Sequence, residues 1–123
     1  MRLTHAEKQS AVREYLERHC IGWERRRLGQ LIVAHLKKRG FAMSEETFQH
    51  ICKDLMMSGV AVCSDDTKGT GGYFVARCRR EMDDYLKQLR KRIDGTLTRA
   101  NCARKIRDAK FPQSTFVFAK GVT

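Results

Sequence analysis

Proline is almost missing from this 123-residue chain, Pro112 being the only one. No Ser/Gly-rich linker stands in for it, so no internal boundary is expected before about residue 95. The chain reads as one domain over residues 1–95 followed by a basic extension over 96–123. Long hydrophobic runs are missing too: no stretch approaches the ~18 apolar residues of a membrane span. The opening Met1-Arg2-Leu3-Thr4-His5-Ala6-Glu7 has no apolar signal core, and a cytoplasmic protein is expected. The five cysteines, at 20, 52, 63, 78 and 102, are odd in number and have no paired spacing, which argues for reduced thiols over a disulfide framework.

The parts of familiar enzymes are missing as well. Gly69-Thr70-Gly71-Gly72 lacks the Gly-Lys-Ser/Thr ending of a phosphate-cradling loop and lies between two strand candidates rather than before a helix. There is no H-E-x-x-H and no C-x-x-C. His19, Cys20, His50, Cys52, Cys63 and Cys78 lack the separations of a zinc knuckle, and no Cys–His pair has a local catalytic signature. A non-enzymatic protein with no metal and no cofactor is expected.

Acidic residues are also in short supply. Twenty-five Lys and Arg stand against fourteen Asp and Glu, giving a net charge of +11 and a pI near 9.9. A small protein this basic is suited to a polyanion, and nucleic acid is the commonest one. The charge is unevenly spread. Residues 1–40 carry ten basic and four acidic groups, residues 41–76 two and five, and residues 77–123 thirteen and five.

Hydrophobic residues make up 41 % of the chain, enough for a core, and their spacing assigns the elements. Thr4-His5-Ala6-Glu7 has the form of a capping box, and Val12, Tyr15, Leu16 and Cys20 follow at helical spacing, with the helix ending near Cys20 to Gly22. A second helix is expected over Glu24–Arg39, with Leu28, Leu31, Ile32, His35 and Leu36 facing the core and Gly40 closing it. A third begins at the N-cap Ser44, carries Glu45 and Glu46 in its first turn, buries Phe48, Ile51, Cys52, Leu55 and Met56, and stops at Gly59. Val60–Cys63 and Tyr73–Ala76 read as strands of a hairpin whose turn spans Asp65–Gly72. Helix returns from Arg79 to about Asp94, with Met82, Leu86, Leu89 and Ile93 on one seam. Thr115-Phe116-Val117-Phe118 is a further strand candidate or a partner-binding segment. Trp23, Tyr85 and His35 are expected to pack in the core.

Three helices, a hairpin and a terminal helix make an α+β layout, that of a winged helix-turn-helix with a C-terminal helical extension. The stretch Lys53-Asp54-Leu55-Met56-Met57-Ser58-Gly59-Val60-Ala61-Val62-Cys63-Ser64, the returning Gly72-Tyr73-Phe74-Val75-Ala76, and Glu81 to Ile93 with Tyr85-Leu86 and Leu89-Arg90-Lys91-Arg92 resemble small winged helix-turn-helix proteins of phages and prophages, over about residues 21–94. The resemblance implies DNA binding in transcription control or replication. The seam of Met82, Leu86, Leu89 and Ile93 is suited to packing back on the domain or to pairing two copies, and pairing is the expectation, since winged helices of this type often dimerise through such a helix.

On that layout the third helix presents Glu45, Glu46, Thr47, Gln49, His50 and Lys53, and the wing tip presents Lys68 and Thr70. Gln49 suits adenine, while His50 or Lys53 suits a phosphate or guanine. The acidic middle works against a repressor built on this helix, because phosphate neutralisation needs cations. The expectation is therefore a phosphate clamp with weak base readout. Its cations come from Arg25, Arg26 and Arg27 and from the arm residues Arg99, Arg104, Lys105, Arg107 and Lys110. The alternative is a winged-helix protein-interaction module, an adaptor or inhibitor of a host nucleoprotein complex, for which an acidic helix, an apolar seam and an aromatic tail are suited.

Overall fold

The computed structural model describes residues 2–67 and 71–112. The expected wing-tip residues Lys68 and Thr70 and the strand candidate at 115–118 lie outside the described residues. Those described form four α-helices, one short 3-10 turn and a two-stranded antiparallel hairpin, an α+β arrangement. Among them no helix is long and apolar enough to cross a membrane. The chain divides into two units, Met1–Tyr85 and Leu86–Thr123.

In the first unit, α1 spans His5–His19. Its start is fixed locally, as the capping box predicts: the Thr4 hydroxyl accepts from the Glu7 N–H at 3.1 Å and the Glu7 carboxylate accepts from the Thr4 N–H at 2.9 Å. The carboxyl of Glu7 is held below its usual range by these bonds. The second helix differs from its expectation. Trp23–Arg25 form a 3-10 turn, Arg26–Leu28 are extended, and α2 begins only at Gly29 and ends at Lys38. The break has a tertiary cause. Arg27 exchanges both backbone hydrogen bonds with Tyr73, at 3.1 and 2.8 Å, so its amide and carbonyl are taken by the hairpin and not by a helix. Leu28 becomes the extended N-cap and, with Leu31, stays exposed, whereas Ile32 and Leu36 reach the core.

Helix α3, Glu45–Met57, starts where Ser44 predicts, with the Ser44 hydroxyl accepting from the Thr47 N–H at 3.1 Å. Gly40 (φ +91) and Gly59 (φ +104) take left-handed positions just past the ends of α2 and α3. The Val60 N–H returns to the Leu55 carbonyl, so Val60 and Ala61 serve the helix exit and β1 runs Val62–Asp65, two residues later than the apolar run suggests. It pairs with β2, Gly72–Val75, in the register Val62↔Val75 to Asp65↔Gly72. The outer edge of β2 is also used: Gly22 N–H bonds the Val75 carbonyl, Val75 N–H bonds the Cys20 carbonyl, and Arg27 meets Tyr73. The segment between α1 and α2 thus adds two bridges to the hairpin.

The core joins Val12, Tyr15 and Leu16 of α1, Ile32 and Leu36 of α2, Phe48, Ile51 and Leu55 of α3, and Val62 and Val75 of the hairpin. Phe48 is wholly buried and meets the Tyr73 ring edge-on at 5.0 Å. Each such side chain contributes about 2 kcal/mol of transfer free energy, which is what fixes the two-stranded hairpin to the helices.

Helix α4 spans Arg79–Lys110, well beyond the end expected near Asp94. Gly95 does not stop it, and Thr96 and Thr98 donate their hydroxyls to the carbonyls four residues earlier, at 2.9 and 3.0 Å. From Leu86 onward α4 is the described structure of the second unit, and its residues are exposed or half-buried.

Candidate functional site

The three consecutive arginines diverge. Arg25 is exposed on the 3-10 turn. The Arg26 guanidinium stacks 3.7 Å over the Trp23 ring and donates to the Trp23 carbonyl at 3.0 Å. Arg27 turns inward and donates to the Tyr15 hydroxyl at 2.6 Å. Trp23, expected in the core, is instead 44 % exposed. It is held in place by its polar atoms, because its ring lies on a turn that reaches the hairpin from outside. The indole N–H donates to Asp65 at 2.8 Å and the backbone N–H to Glu81 at 2.9 Å. Hydrogen bonds from the Thr67 hydroxyl and from Trp23 keep the Asp65 carboxyl below its usual range. Partial burial of Glu81 acts the other way, yet donation from the Arg77 and Trp23 amides leaves its carboxyl lowered as well.

Around Tyr15 lies a group that the sequence did not single out. The Tyr15 ring is 1 % exposed, with its hydroxyl 2.6 Å from His35 Nδ1. Since the phenol oxygen accepts from Arg27, its own proton is free for His35. Two guanidinium carbons sit near this one ring, Arg27 at 5.7 Å and Arg39 at 5.3 Å, and the His19 ring lies 4.8 Å from it. Arg39 Nη2 is 3.3 Å from His19 Nε2. An arginine only donates, so that nitrogen of His19 is the bare one. Partial burial, followed by the charges of Arg27, Arg39 and Arg18 and by His35, pushes the His19 imidazole below its ordinary range. Among the described residues no carboxylate forms an ion pair with Arg27, Arg39, His19 or His35. An open cleft of about 440 Å³ between α1 and α2 is lined by Tyr15, Leu36, Arg39 and Glu14 among others. The available signal was the spacing: His19 stands four residues after Tyr15 and Arg39 four after His35, which stacks each pair on one helical face.

The outward face of α3 is as acidic as its composition. Glu45, Glu46, Gln49, His50 and Lys53 are exposed, Glu46 lies 3.9 Å from His50, and Asp54 lies 3.3 Å from His5 of α1. Met57 is 77 % exposed at the end of the same helix. Of the residues expected to read or clamp, Gln49, His50 and Lys53 share this face, whereas Arg99, Arg104, Lys105 and Arg107 are exposed on α4 in the second unit. Arg107 meets Asp108 at 3.0 Å, and Arg104 meets Asn101. The apolar seam is uneven. Met82 is half-buried with its sulfur 3.6 Å from Cys63 Sγ, Leu89 is half-buried, and Leu86 and Ile93 are 56 % and 60 % exposed.

The thiols are split in the same way. Burial pushes Cys20 and Cys63 up to about 11 and Cys52 up to about 12, so all three stay protonated at neutral pH, while Cys78 and Cys102 are exposed. Among the described residues no three His, Cys, Asp or Glu side chains gather where they could hold a metal ion. No protein-family model, no curated protein and no solved structure matches the chain.

Proposed function

We propose that the protein is a winged helix-turn-helix that grips nucleic acid, duplex DNA foremost, by its phosphate backbone with little base readout. The observation that carries this reading is the excess of exposed cations over carboxylates available to pair with them. From Leu86 to Lys110, nine Lys and Arg share the helix with only Asp94 and Asp108. In the first unit Arg27 and Arg39 lie beside an aromatic ring and, among the described residues, form no ion pair with a carboxylate. The winged-helix assignment draws support from the bridges that Ile21 and Arg27 make to β2, the place of a third strand at the root of a wing. Readout by α3 is weak on this reading because Glu45 and Glu46 occupy the helix start that would enter the groove. The exposed Leu86 and Ile93 are assigned to pairing of two copies, and the role to phage or prophage regulation or replication, as in the proteins the chain resembles.

The test is binding of random duplex over a salt series from about 50 to 200 mM. The expected logarithmic slope is about −0.9 per phosphate contacted, and replacing Arg104, Lys105 and Arg107 together by Gln should flatten it by roughly two to three units. No binding at the lowest salt would defeat the proposal. That outcome would favour a protein-interaction module instead, a reading supported by the acidic outer face of α3 and by the exposed Met57 beside it.

A further inference from the structure

We propose that Arg27, Arg39 and His19, arranged around Tyr15, form a site for one phosphate group of a nucleic-acid backbone, and that His19 gains a proton at Nε2 when that phosphate binds. The inference deepens the proposed nucleic-acid reading and rests on it for the source of the phosphate. Its physical basis is a local imbalance of charge. Two guanidinium groups lie 5.7 and 5.3 Å from one ring centroid, and among the described residues no carboxylate pairs with either. Two positive charges gathered around one side chain raise the local potential there, and both are anchored. Arg27 is fixed by its two backbone bonds to Tyr73 and by the Tyr15 hydroxyl, and Arg39 is the residue that caps α2. In this proposal a tetrahedral anion accepts from both guanidinium groups and offsets their charge.

The proton follows from the Arg39–His19 contact. In the free protein Arg39 donates toward His19 Nε2, which requires the neutral ring. An anion that draws Arg39 onto itself frees that nitrogen, and the same anion stabilises the imidazolium beside it. The groups facing His19 are Tyr15 and Arg18 on α1, Arg27 ahead of α2, and His35 and Arg39 on α2 and its cap. The nearby carboxylate of Glu14 lies 3.8 Å from Arg18 and lines the cleft with Arg39. Partial burial, with the positive Arg27, Arg39 and Arg18, disfavours the charged ring in the free protein, and binding is coupled to proton uptake. Affinity therefore rises as pH falls through the histidine range.

The test uses the intact chain. The imidazole C–H resonances of His19 are followed by NMR against pH, in sodium chloride and in sodium sulfate of equal ionic strength. Sulfate is a tetrahedral dianion that does not titrate in this range. The His19 midpoint should move up by about one pH unit in sulfate, and Arg39→Gln, at an exposed position, should remove most of the movement. In parallel, duplex affinity at fixed salt should rise about fivefold between pH of about 7.5 and about 6, and His19→Gln should abolish the rise. A His19 midpoint that sulfate does not move overturns the site, whatever the duplex does. A moved midpoint without pH-dependent duplex affinity overturns the backbone as the phosphate source and leaves free phosphate. Absence of duplex binding at every pH and at low salt defeats the proposed function, and the sulfate titration then decides the site by itself.

Discussion

Removing the hydroxyl of Tyr15 is the sharpest probe of how the first unit is held together. The side chain is 1 % exposed, so Tyr15→Phe keeps the ring in the core and deletes one oxygen. That oxygen serves two partners, Arg27 at 2.6 Å and His35 at 2.6 Å. A hydrogen bond to a charged group is worth about 1.5–3 kcal/mol and one to a neutral group about 1 kcal/mol. Arg27 and His35 are both half-exposed, so each regains water when the hydroxyl goes, which brings the net loss down to about 2 kcal/mol. In a urea titration this should lower the midpoint by about 1 M at unchanged slope. A cycle with Arg27→Gln should then show a coupling of about 1 kcal/mol, because the Arg27 bond is absent from both single variants. A loss under about 0.5 kcal/mol together with an additive cycle would refute the claim that this hydroxyl ties α1 to the segment ahead of α2.

Three further outcomes are expected. The fluorescence of Trp23, the only tryptophan, should report the Asp65 latch: the Asp65 carboxyl is lowered in the fold, so its contribution is complete above the ordinary aspartate pKa of about 3.9 and is lost as pH falls through the folded value. Asp65→Asn should erase that acid transition, and an unchanged transition would assign it elsewhere. Alkylation at mildly alkaline pH should modify Cys78 and Cys102 quickly, while Cys20, Cys52 and Cys63 react only on unfolding, as intact-mass spectra would show. Gly95→Ala should raise the thermal midpoint of helical ellipticity, gaining about 1 kcal/mol, since a Cβ there meets nothing within 4 Å. Gly72→Ala should instead cost about 2 kcal/mol or more, because its Cβ would lie 2.7 Å from the Arg27 carbonyl carbon.

What could be read from the sequence is what neighbouring residues decide among themselves. The Thr4–Glu7 box, the Ser44 cap and the glycines at 40 and 59 set their helix ends by local hydrogen bonds and backbone freedom, and each lies where the pattern predicts. The misses are positions where a distant backbone intervenes. Nothing in Glu24 to Leu28 forbids helix, yet Tyr73, nearly fifty residues on, takes the amide and carbonyl of Arg27 and delays α2 to Gly29. The displacement exposes Leu28 and Leu31 and leaves Trp23 on a turn outside the core. Helix α4 outran its expectation because Gly95 costs a helix only about 1 kcal/mol, which a long run of good helix formers outweighs. The candidate site was half legible. The run Arg25-Arg26-Arg27 announced cations, but not that one would stack on Trp23 and another point to Tyr15. Tyr15 and His35 were read as core, which burial bears out for Tyr15, and a polar network on a buried ring carries no signature of its own in a hydrophobic stripe.

The distribution of charge decides which surface a polyanion can approach. At the start of α3 the free amides and the helix dipole would normally attract a phosphate. Here Ser44 already satisfies one of those amides, and Glu45 and Glu46 place two negative charges at the same end. A phosphate there gains little and meets repulsion. The group around Tyr15 has the opposite balance, with two guanidinium groups and two imidazoles and, among the described residues, no paired carboxylate. On the second unit the arm from Leu86 to Lys110 is likewise in cationic excess. On the proposed nucleic-acid reading, the acidic start of α3 disfavours a phosphate there, and base reading through Gln49 would be limited to whatever approach the cations allow.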